Sequence, residues 1–119
     1  MIYNSKNEIV NVSLKFALEV IKFCEELDQQ RKWIVAKQLL RSGTSIGANI
    51  NEAQNAESKA DFIHKLKISA KEAEETGYWM LLCEYSENYP NPDNLKPLLL
   101  SIKKLLNKII GSAKKPKPI

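Results

Sequence analysis

Two segments in the middle of the chain carry polar residues that recur every three or four positions. The positions are Ser42, Ser45, Asn49 and Glu52 in the first segment, and Glu72, Glu75 and Trp79 in the second. This spacing places each set on one face of a helix. Polar groups beside a packing face are costly unless they find hydrogen-bond partners. The pattern therefore predicts a specific polar network between two helices.

Arg41 is the natural counter-charge for these carboxylates, because its planar guanidinium can pair with a carboxylate through two hydrogen bonds. We interpret the group as a structural network that fixes helix register or the packing of subunits. Its predicted members are Arg41, Ser45, Asn49, Glu52, Glu72 and Glu75.

The same residues offer little support for catalysis or metal binding. Di-iron bundles combine glutamates with paired Glu-x-x-His motifs, whereas His64 is the single histidine and its Asp61-x-x-His64 setting has no second copy. Nucleophilic catalysis needs a base beside the nucleophile, and His64 has no recognisable triad context. Gly43 and Gly47 lack the lysine spacing of a phosphate-binding loop. The sequence predicts no enzyme, no metal, no cofactor and no small-molecule substrate.

Composition is that of one ordinary globular domain. The chain has 119 residues, of which 44% are hydrophobic and 27% are charged, and both values are typical of soluble proteins. No apolar run approaches the ~20 residues that span a bilayer, and residues 1–8 contain no signal-peptide core. We therefore expect a cytoplasmic protein that binds no membrane. Cys24 and Cys83 lie in apolar helical patterns and are interpreted as buried thiols, with a disulfide or metal pair as the alternative.

Apolar periodicity predicts four helices, at about 7–27, 31–56, 58–87 and from 92–95 to 111. Ser58-x-x-Asp61 resembles a capping box at the start of the third helix. Asn94 is a plausible N-cap for the fourth helix, with Pro97 in its first turn. Short links between long helices indicate an all-α, antiparallel up-down-up-down four-helix bundle over residues 1–111. Residues 112–119 are interpreted as a disordered basic tail.

Gly43 and Gly47 lie one turn apart in the predicted second helix. A glycine inside a helix costs roughly 1 kcal/mol relative to alanine, so the pair predicts close approach of another backbone. The proposed partner is the small-residue seam of the third helix, formed by Ala70, Ala73 and Gly77. A break in the helix near Gly43 is the competing interpretation.

The first and fourth helices carry apolar faces that are wider than one neighbouring helix requires. We take the extra width as a prediction of self-association.

Three motifs in the middle of the chain can be compared with known families: Ser45-Ile46-x-x-Asn49-Ile50-x-Glu52, Asp61-Phe62-Ile63 and Glu72-x-x-Glu75-Thr76-x-x-Trp79. Taken together, they resemble the four-helix bundle proteins encoded within 23S ribosomal RNA intervening sequences. Gly43 departs from the resemblance, because the family more often has alanine at this position. The resemblance implies a bundle that assembles into a closed homopentameric ring, and no catalytic residues. It also implies similarity to the accessory proteins of diversity-generating retroelements, which bind nucleic acid and a reverse transcriptase.

Positive charge is concentrated near the C-terminus of a chain whose net charge is +4. The candidate nucleic-acid contacts are Lys103, Lys104, Lys108, Lys114, Lys115 and Lys117, with no acid among them. Further candidates are Lys32, Lys37, Lys59, Lys65, Lys67 and Lys71. Such a tract either is a solvated helix face with a frayed end or attracts phosphate backbones.

We predict weak, backbone-directed binding of RNA or DNA by a homo-oligomer. The alternative is a protein-protein scaffold whose charge serves solubility. Trp79, with Tyr78 beside it, could stack on bases, but its place in the apolar stripe favours packing at a helix or subunit seam.

Overall fold

The computed structural model describes residues 6–116 and contains four α-helices in this range. They are α1 (Glu8–Gln29), α2 (Trp33–Ala53), α3 (Lys59–Tyr85) and α4 (Lys96–Lys114). No strand is present between residues 6 and 116. The predicted all-α class and the four-helix bundle are confirmed.

Each helix packs against two others, and the backbones of the diagonal pairs α1–α3 and α2–α4 lie further apart. Helix α1 contacts α2 and α4, and α3 contacts the same two helices. Ser42 lies beside Thr76 and Ile46 lies beside Ser69, so α2 and α3 run in opposite directions. The result is an elongated molecule of 58 × 30 × 21 Å.

The core runs along the axis between the helices and is built from one broad apolar face of each. Phe16, Leu27, Leu39, Ile46 and Ile102 are among its fully buried side chains. Burying a side chain of this size contributes about 1.5–3 kcal/mol each. Because every helix faces two neighbours, a wide apolar face is needed within one protomer. Helix α4 accordingly buries Leu99, Ile102 and Leu106 and packs Leu98, Leu105 and Ile109 partly against the core.

A side-chain cap begins two of the four helices. The Asn7 side chain accepts a hydrogen bond from the Ile9 backbone N–H at 3.3 Å and begins α1. Ser58 Oγ accepts from the Asp61 N–H at 3.0 Å and begins α3, as its capping motif predicts. The Asp61 carboxylate accepts from the Glu57 N–H at 3.3 Å.

Helix α4 differs from expectation at both ends. It begins at Lys96 with Leu95 as N-cap and no side-chain cap, so Asn94 does not fill that role, although Pro97 does lie in the first turn. It also continues through Gly111 to Lys114. A lysine in the last turn is favourable beside the negative end of the helix dipole. Lys114 is therefore helical, and Lys117 lies outside the described residues.

The predicted glycine seam between α2 and α3 is wrong. Helix α2 is unbroken at Gly43, and this residue faces the Val20 side chain of α1. Gly47 faces Ser13 of α1, and Gly77 of α3 faces Leu99 of α4. The glycines of α2 therefore permit close approach of α1. Ser42 and Ile46 lie on the adjacent face of α2, which packs against α3.

Two link residues adopt left-handed backbone conformations although neither is glycine. Arg31 has φ of 61° in the α1–α2 link, and Asn88 has φ of 64° in the α3–α4 link. Asparagine tolerates this region better than arginine does. None of the helices within residues 6–116 has the length and hydrophobicity that crossing a bilayer requires.

Candidate functional site

Part of the predicted polar network forms between α2 and α3. The Arg41 guanidinium donates to Glu72 at 3.3 Å and also pairs with Glu75. The Trp79 indole N–H donates to the same Glu75 oxygen at 3.0 Å. The Trp79 hydrogen bond, followed by the contact with Arg41, lowers the pKa of Glu75. The hydrogen bond to Glu75 is the main reason that the pKa of Arg41 is raised.

This cluster lies at the edge of the bundle and not in its core. The Arg41 side chain is 49% exposed. Ion pairs in such positions contribute about 1 kcal/mol or less, because water screens them. The cluster is thus a structured surface feature whose guanidinium is exposed to solvent.

The other three predicted members have local partners. Ser45 Oγ donates to the Arg41 carbonyl at 2.7 Å, and Asn49 Nδ2 donates to the Ser45 carbonyl at 2.9 Å. Glu52 pairs with Lys65 at 3.6 Å. Of the six residues, the structure joins only Arg41 with the two glutamates of α3.

A second set of polar contacts between α2 and α3 is fully buried. The hydroxyls of Ser42 and Thr76 are hydrogen-bonded at 3.0 Å. Ser69 Oγ donates to the Ile46 carbonyl at 2.9 Å. Ser42 belongs to the polar stripe that the sequence predicted. Ser69 and Thr76 belong to neither predicted stripe, so the sequence did not indicate their role. These small hydroxyls carry the specific helix pairing inside the bundle.

The lysines of α4 divide into paired and unpaired groups. Lys96 pairs with Glu84 at 2.6 Å, and Lys103 pairs with Glu74 at 3.3 Å. Those that form no ion pair with any carboxylate of residues 6–116 are Lys104, Lys108, Lys114 and Lys115. Lys103 therefore has a carboxylate partner, while the later lysines have none in the described part of the chain.

The start of α3 and the end of α4 bring four lysines together at one end of the bundle. Lys59 Nζ donates to the Lys115 carbonyl at 3.2 Å. Hydrogen bonding to the Lys114 amine, and then repulsion between the two charges, lowers the pKa of Lys67. Lys59 and Lys67 likewise have no carboxylate partner in the described part of the chain. We call Lys59, Lys67, Lys114 and Lys115 the basic end.

Trp79 packs against the core and is held by Glu75, which agrees with the packing interpretation. Tyr78 is exposed and meets the Trp79 ring edge-on, with 5.9 Å between the centroids. The rings of Tyr78 and Trp79 therefore do not lie parallel with their faces open.

Both cysteines are free and buried. Burial raises the pKa of Cys24 to about 12 and that of Cys83 to about 11, as expected for unreactive core thiols. Among the described residues, no three His, Cys, Asp or Glu side chains are grouped so that they could hold a metal ion. His64 is exposed.

Comparison with known proteins agrees with the motifs of the central helices. The family model for the 23S rRNA-intervening sequence protein matches residues 5–111. A crystal structure of a protein of unknown function from the S23 ribosomal protein family of Bacteroides thetaiotaomicron has a TM-score of 0.81. It is 43% identical, and the match covers 86% of this chain and 97% of that chain. No curated protein matches this sequence.

Proposed function

Because this chain belongs to the 23S rRNA-intervening sequence protein family, we propose that it is a non-enzymatic, homo-oligomeric protein that binds RNA or DNA through the phosphate backbone. The resemblance implies five copies in a closed ring, and we adopt that number. The proposed location is the cytoplasm. Neither a cofactor nor a small-molecule substrate takes part.

The main observation behind nucleic-acid binding is the pairing of Lys67 with Lys114 in the basic end. The interaction of Lys67 with the Lys114 amine, first through hydrogen bonding and then through charge repulsion, lowers the pKa of Lys67. A phosphate placed beside both would relieve the repulsion and release condensed counterions from the nucleic acid. Lys59 and Lys115 flank the pair and extend the charged surface.

Lysine clusters read no base sequence by themselves. Phosphate contacts fix position and orientation, whereas sequence is read at base edges. The proposed binding is therefore salt-dependent and tolerant of sequence. In a ring of five, the net charge of +4 per chain sums to about +20, and repetition of the basic end would concentrate it.

The alternative function is a protein-protein scaffold or accessory subunit, of the kind that retroelement accessory proteins provide. The observation in its favour is the edge formed by Arg41, Tyr78 and Trp79. These residue types dominate the energetics of many protein interfaces, and Glu75 holds two of them in place.

Fluorescence anisotropy with labelled single-stranded and double-stranded RNA and DNA tests the first function. We expect binding that weakens steeply between 50 and 200 mM salt, on the order of tenfold or more. The double variant Lys67→Glu with Lys114→Glu should lose most of the affinity and lower the salt slope by about two.

The matched control is Lys15→Glu with Lys22→Glu, which makes the same charge change on α1. It should retain most of the affinity. Equal loss in both double variants would show that only net charge matters and would contradict the basic end. No binding at micromolar protein and low salt would leave the scaffold function.

A further inference from the structure

We infer that the outer side of α3 binds single-stranded nucleic acid, with bases stacked on Tyr78 and Tyr85 and phosphates held by Lys67 and Lys71. The inference rests on the nucleic-acid binding in the proposed function, and it adds the class of strand and a set of contacts with bases. It is supported by the alignment of these side chains, the exposure of the two rings and the pairing of the nearby carboxylates.

Four exposed side chains form one straight row along α3, which we call the outer row: Lys67, Lys71, Tyr78 and Tyr85. They follow one another at steps of four, seven and seven residues. Seven residues are close to two full helical turns, so these side chains lie within about 40° of one another around the helix axis. The row is about 27 Å long, at about 1.5 Å per residue. It lies opposite the face on which Ser69 and Thr76 contact α2.

The two tyrosine rings of the outer row are largely open to solvent. Tyr85 is 81% exposed and Tyr78 is 56% exposed. Aromatic rings usually stabilise a protein by burying much of their area, which these two rings do not do within the protomer. Seven residues separate them, so they lie about 10 Å apart along the helix. This spacing leaves room for a separate base on each ring.

The Tyr78 ring is also held by its neighbour in the sequence. It meets the Trp79 ring edge-on, with 5.9 Å between the centroids. The Trp79 indole N–H donates to Glu75 at 3.0 Å, and Trp79 packs against the core. A ring that is fixed before binding loses little conformational freedom when a base stacks on it.

Most of the negative charge near the outer row is offset within the protomer. The carboxylates of α3 between residues 72 and 84 all pair with cations of other helices; they are Glu72 and Glu75 with Arg41, Glu74 with Lys103, and Glu84 with Lys96. Glu74 lies between the lysines and the tyrosines of the row, so its pairing with Lys103 matters most. These partners lower the repulsion that the carboxylates would exert on a phosphate.

The two lysines of the outer row have no such partners. Lys67 and Lys71 form no ion pair with any carboxylate of residues 6–116. Lys67 also belongs to the basic end, so the row continues the charged surface that the proposed function assigns to phosphates. Proteins bind single strands with this combination, in which cationic groups follow the backbone and aromatic rings take the bases.

A single strand fits the outer row better than a duplex does. The bases of a duplex are stacked on one another and paired, so a protein ring reaches their faces only if the stack is opened. An unpaired strand presents both its phosphates and the faces of its bases. Because every base has such a face, the binding should depend little on sequence.

Fluorescence anisotropy with two DNA strands of equal length and charge tests the inference. One strand is an oligomer of thymidine, and the other carries abasic sugars in place of the bases. The unaltered protein should bind the thymidine strand about tenfold or more tightly, because only this strand can stack. In the double variant Tyr78→Ala with Tyr85→Ala, this difference should vanish. The affinity for the abasic strand and its salt slope should stay the same, because the slope depends on the phosphate contacts.

The matched control is Trp33→Ala, which removes an exposed aromatic side chain of α2 that lies outside the outer row. It should keep the difference between the two strands. Tyr78→Phe with Tyr85→Phe should keep it too, because stacking needs the ring and not the hydroxyl. Circular dichroism and light scattering should show the fold and the mass of the unaltered protein for every variant.

A strand that contains 5-iodouracil locates the contact directly, because ultraviolet light crosslinks this base to an aromatic ring stacked on it. Mass spectrometry should find the crosslinks at Tyr78 or Tyr85. Crosslinks confined to residues outside the outer row would contradict the inference.

The outcomes separate this inference from the proposed function. Equal affinity of the unaltered protein for the thymidine and abasic strands, or tighter binding of a duplex than of the thymidine strand, would overturn the inference and leave backbone binding in place. A changed mass of the Tyr78 and Tyr85 alanine variant, or its equal loss of affinity for both strands, would assign the rings to folding or to contact with a protein chain and would overturn it as well. Failure of the unaltered protein to bind either strand would overturn the proposed function and this inference together.

Discussion

The hydroxyl of Ser42 on α2 is hydrogen-bonded to the hydroxyl of Thr76 on α3 at 3.0 Å, in a fully buried setting. Thr76 also bonds the Glu72 carbonyl at 2.7 Å. Buried polar groups that lose their partners cost about 1–3 kcal/mol. The pair therefore favours one register of α2 against α3 over shifted alternatives.

Thr76→Val should lower the free energy of unfolding by about 1–2 kcal/mol, because it keeps the shape but removes the hydroxyl. Urea denaturation measures the change. Thr44→Val is the control, since Thr44 bonds only carbonyls of its own helix, and its effect should be smaller. A double-mutant cycle with Ser42→Ala should show coupling, and strict additivity would contradict the pairing.

The glycines of α2 predict opposite responses to alanine. At Gly43 a Cβ would lie 2.9 Å from Val20 Cγ1, so Gly43→Ala should destabilise the bundle by overpacking, by about 1 kcal/mol or more. At Gly47 the nearest atom would be Ser13 Oγ at 3.5 Å, an ordinary contact. Gly47→Ala should therefore gain up to about 1 kcal/mol from helix propensity.

Thermal melting of both alanine variants and of Gly111→Ala checks this. Gly111 has no atom within 4 Å of an added Cβ, so this change reports propensity alone. Gly47→Leu, by contrast, should overpack the contact with Ser13 and lower the melting temperature. Equal melting temperatures for the Gly43 and Gly47 alanine variants would argue against the described packing of α1 on α2.

The thiols of Cys24 and Cys83 should resist modification in the folded protein. Their pKa values are raised to about 12 and about 11 by burial, and the thiolate is the reactive form. With Ellman's reagent at pH 8, we expect no reaction within minutes and two equivalents after unfolding. Rapid reaction of the native protein would show that this end of the core opens readily.

The Arg41 cluster predicts a small stability term that depends on pH. The pKa of Glu75 is lowered in the folded state, so its contribution is present above the unfolded pKa and is lost as pH falls through the folded one. Glu75→Gln and Arg41→Met should each cost about 1 kcal/mol or less at pH 7.

Urea titrations at pH 7 and pH 3 measure that term. The difference in the free energy of unfolding between the unaltered protein and Glu75→Gln should be smaller at the lower pH. Glu87→Gln changes an exposed carboxylate that forms no ion pair in the described range, and serves as control. A difference that is constant between the two pH values would assign the effect to packing. Loss of assembly in Arg41→Met would favour the scaffold function over the proposed basic end.

Local rules predicted the elements of this fold better than its contacts. Apolar periodicity, the Ser58 cap and the position of Pro97 are all properties of neighbouring residues, and they predicted four helices near their observed bounds. The sequence did not predict that α4 continues through Gly111, because a glycine near the end of a helix can either terminate it or lie within its last turns.

Contacts between helices required knowledge of which face meets which neighbour. Gly43 and Gly47 gave the correct inference of close approach but the wrong partner, since spacing does not distinguish α1 from α3. The proximity of Lys67 to Lys114 could likewise not be predicted, because 47 positions separate them in the sequence. Arg41 paired with two glutamates as its chemistry suggested, whereas Ser45 and Asn49 took the carbonyls of their own helix.

The left-handed backbone of Arg31 leaves a simple route to a sturdier molecule. Glycine adopts that conformation without the steric cost that a Cβ imposes, and the side chain of Arg31 is exposed. Arg31→Gly would thus provide a stabilised host chain, remote in sequence from Lys59, Lys67, Lys114 and Lys115. In the Arg31→Gly background, lysine-to-glutamate substitutions could be compared while the helices remain folded.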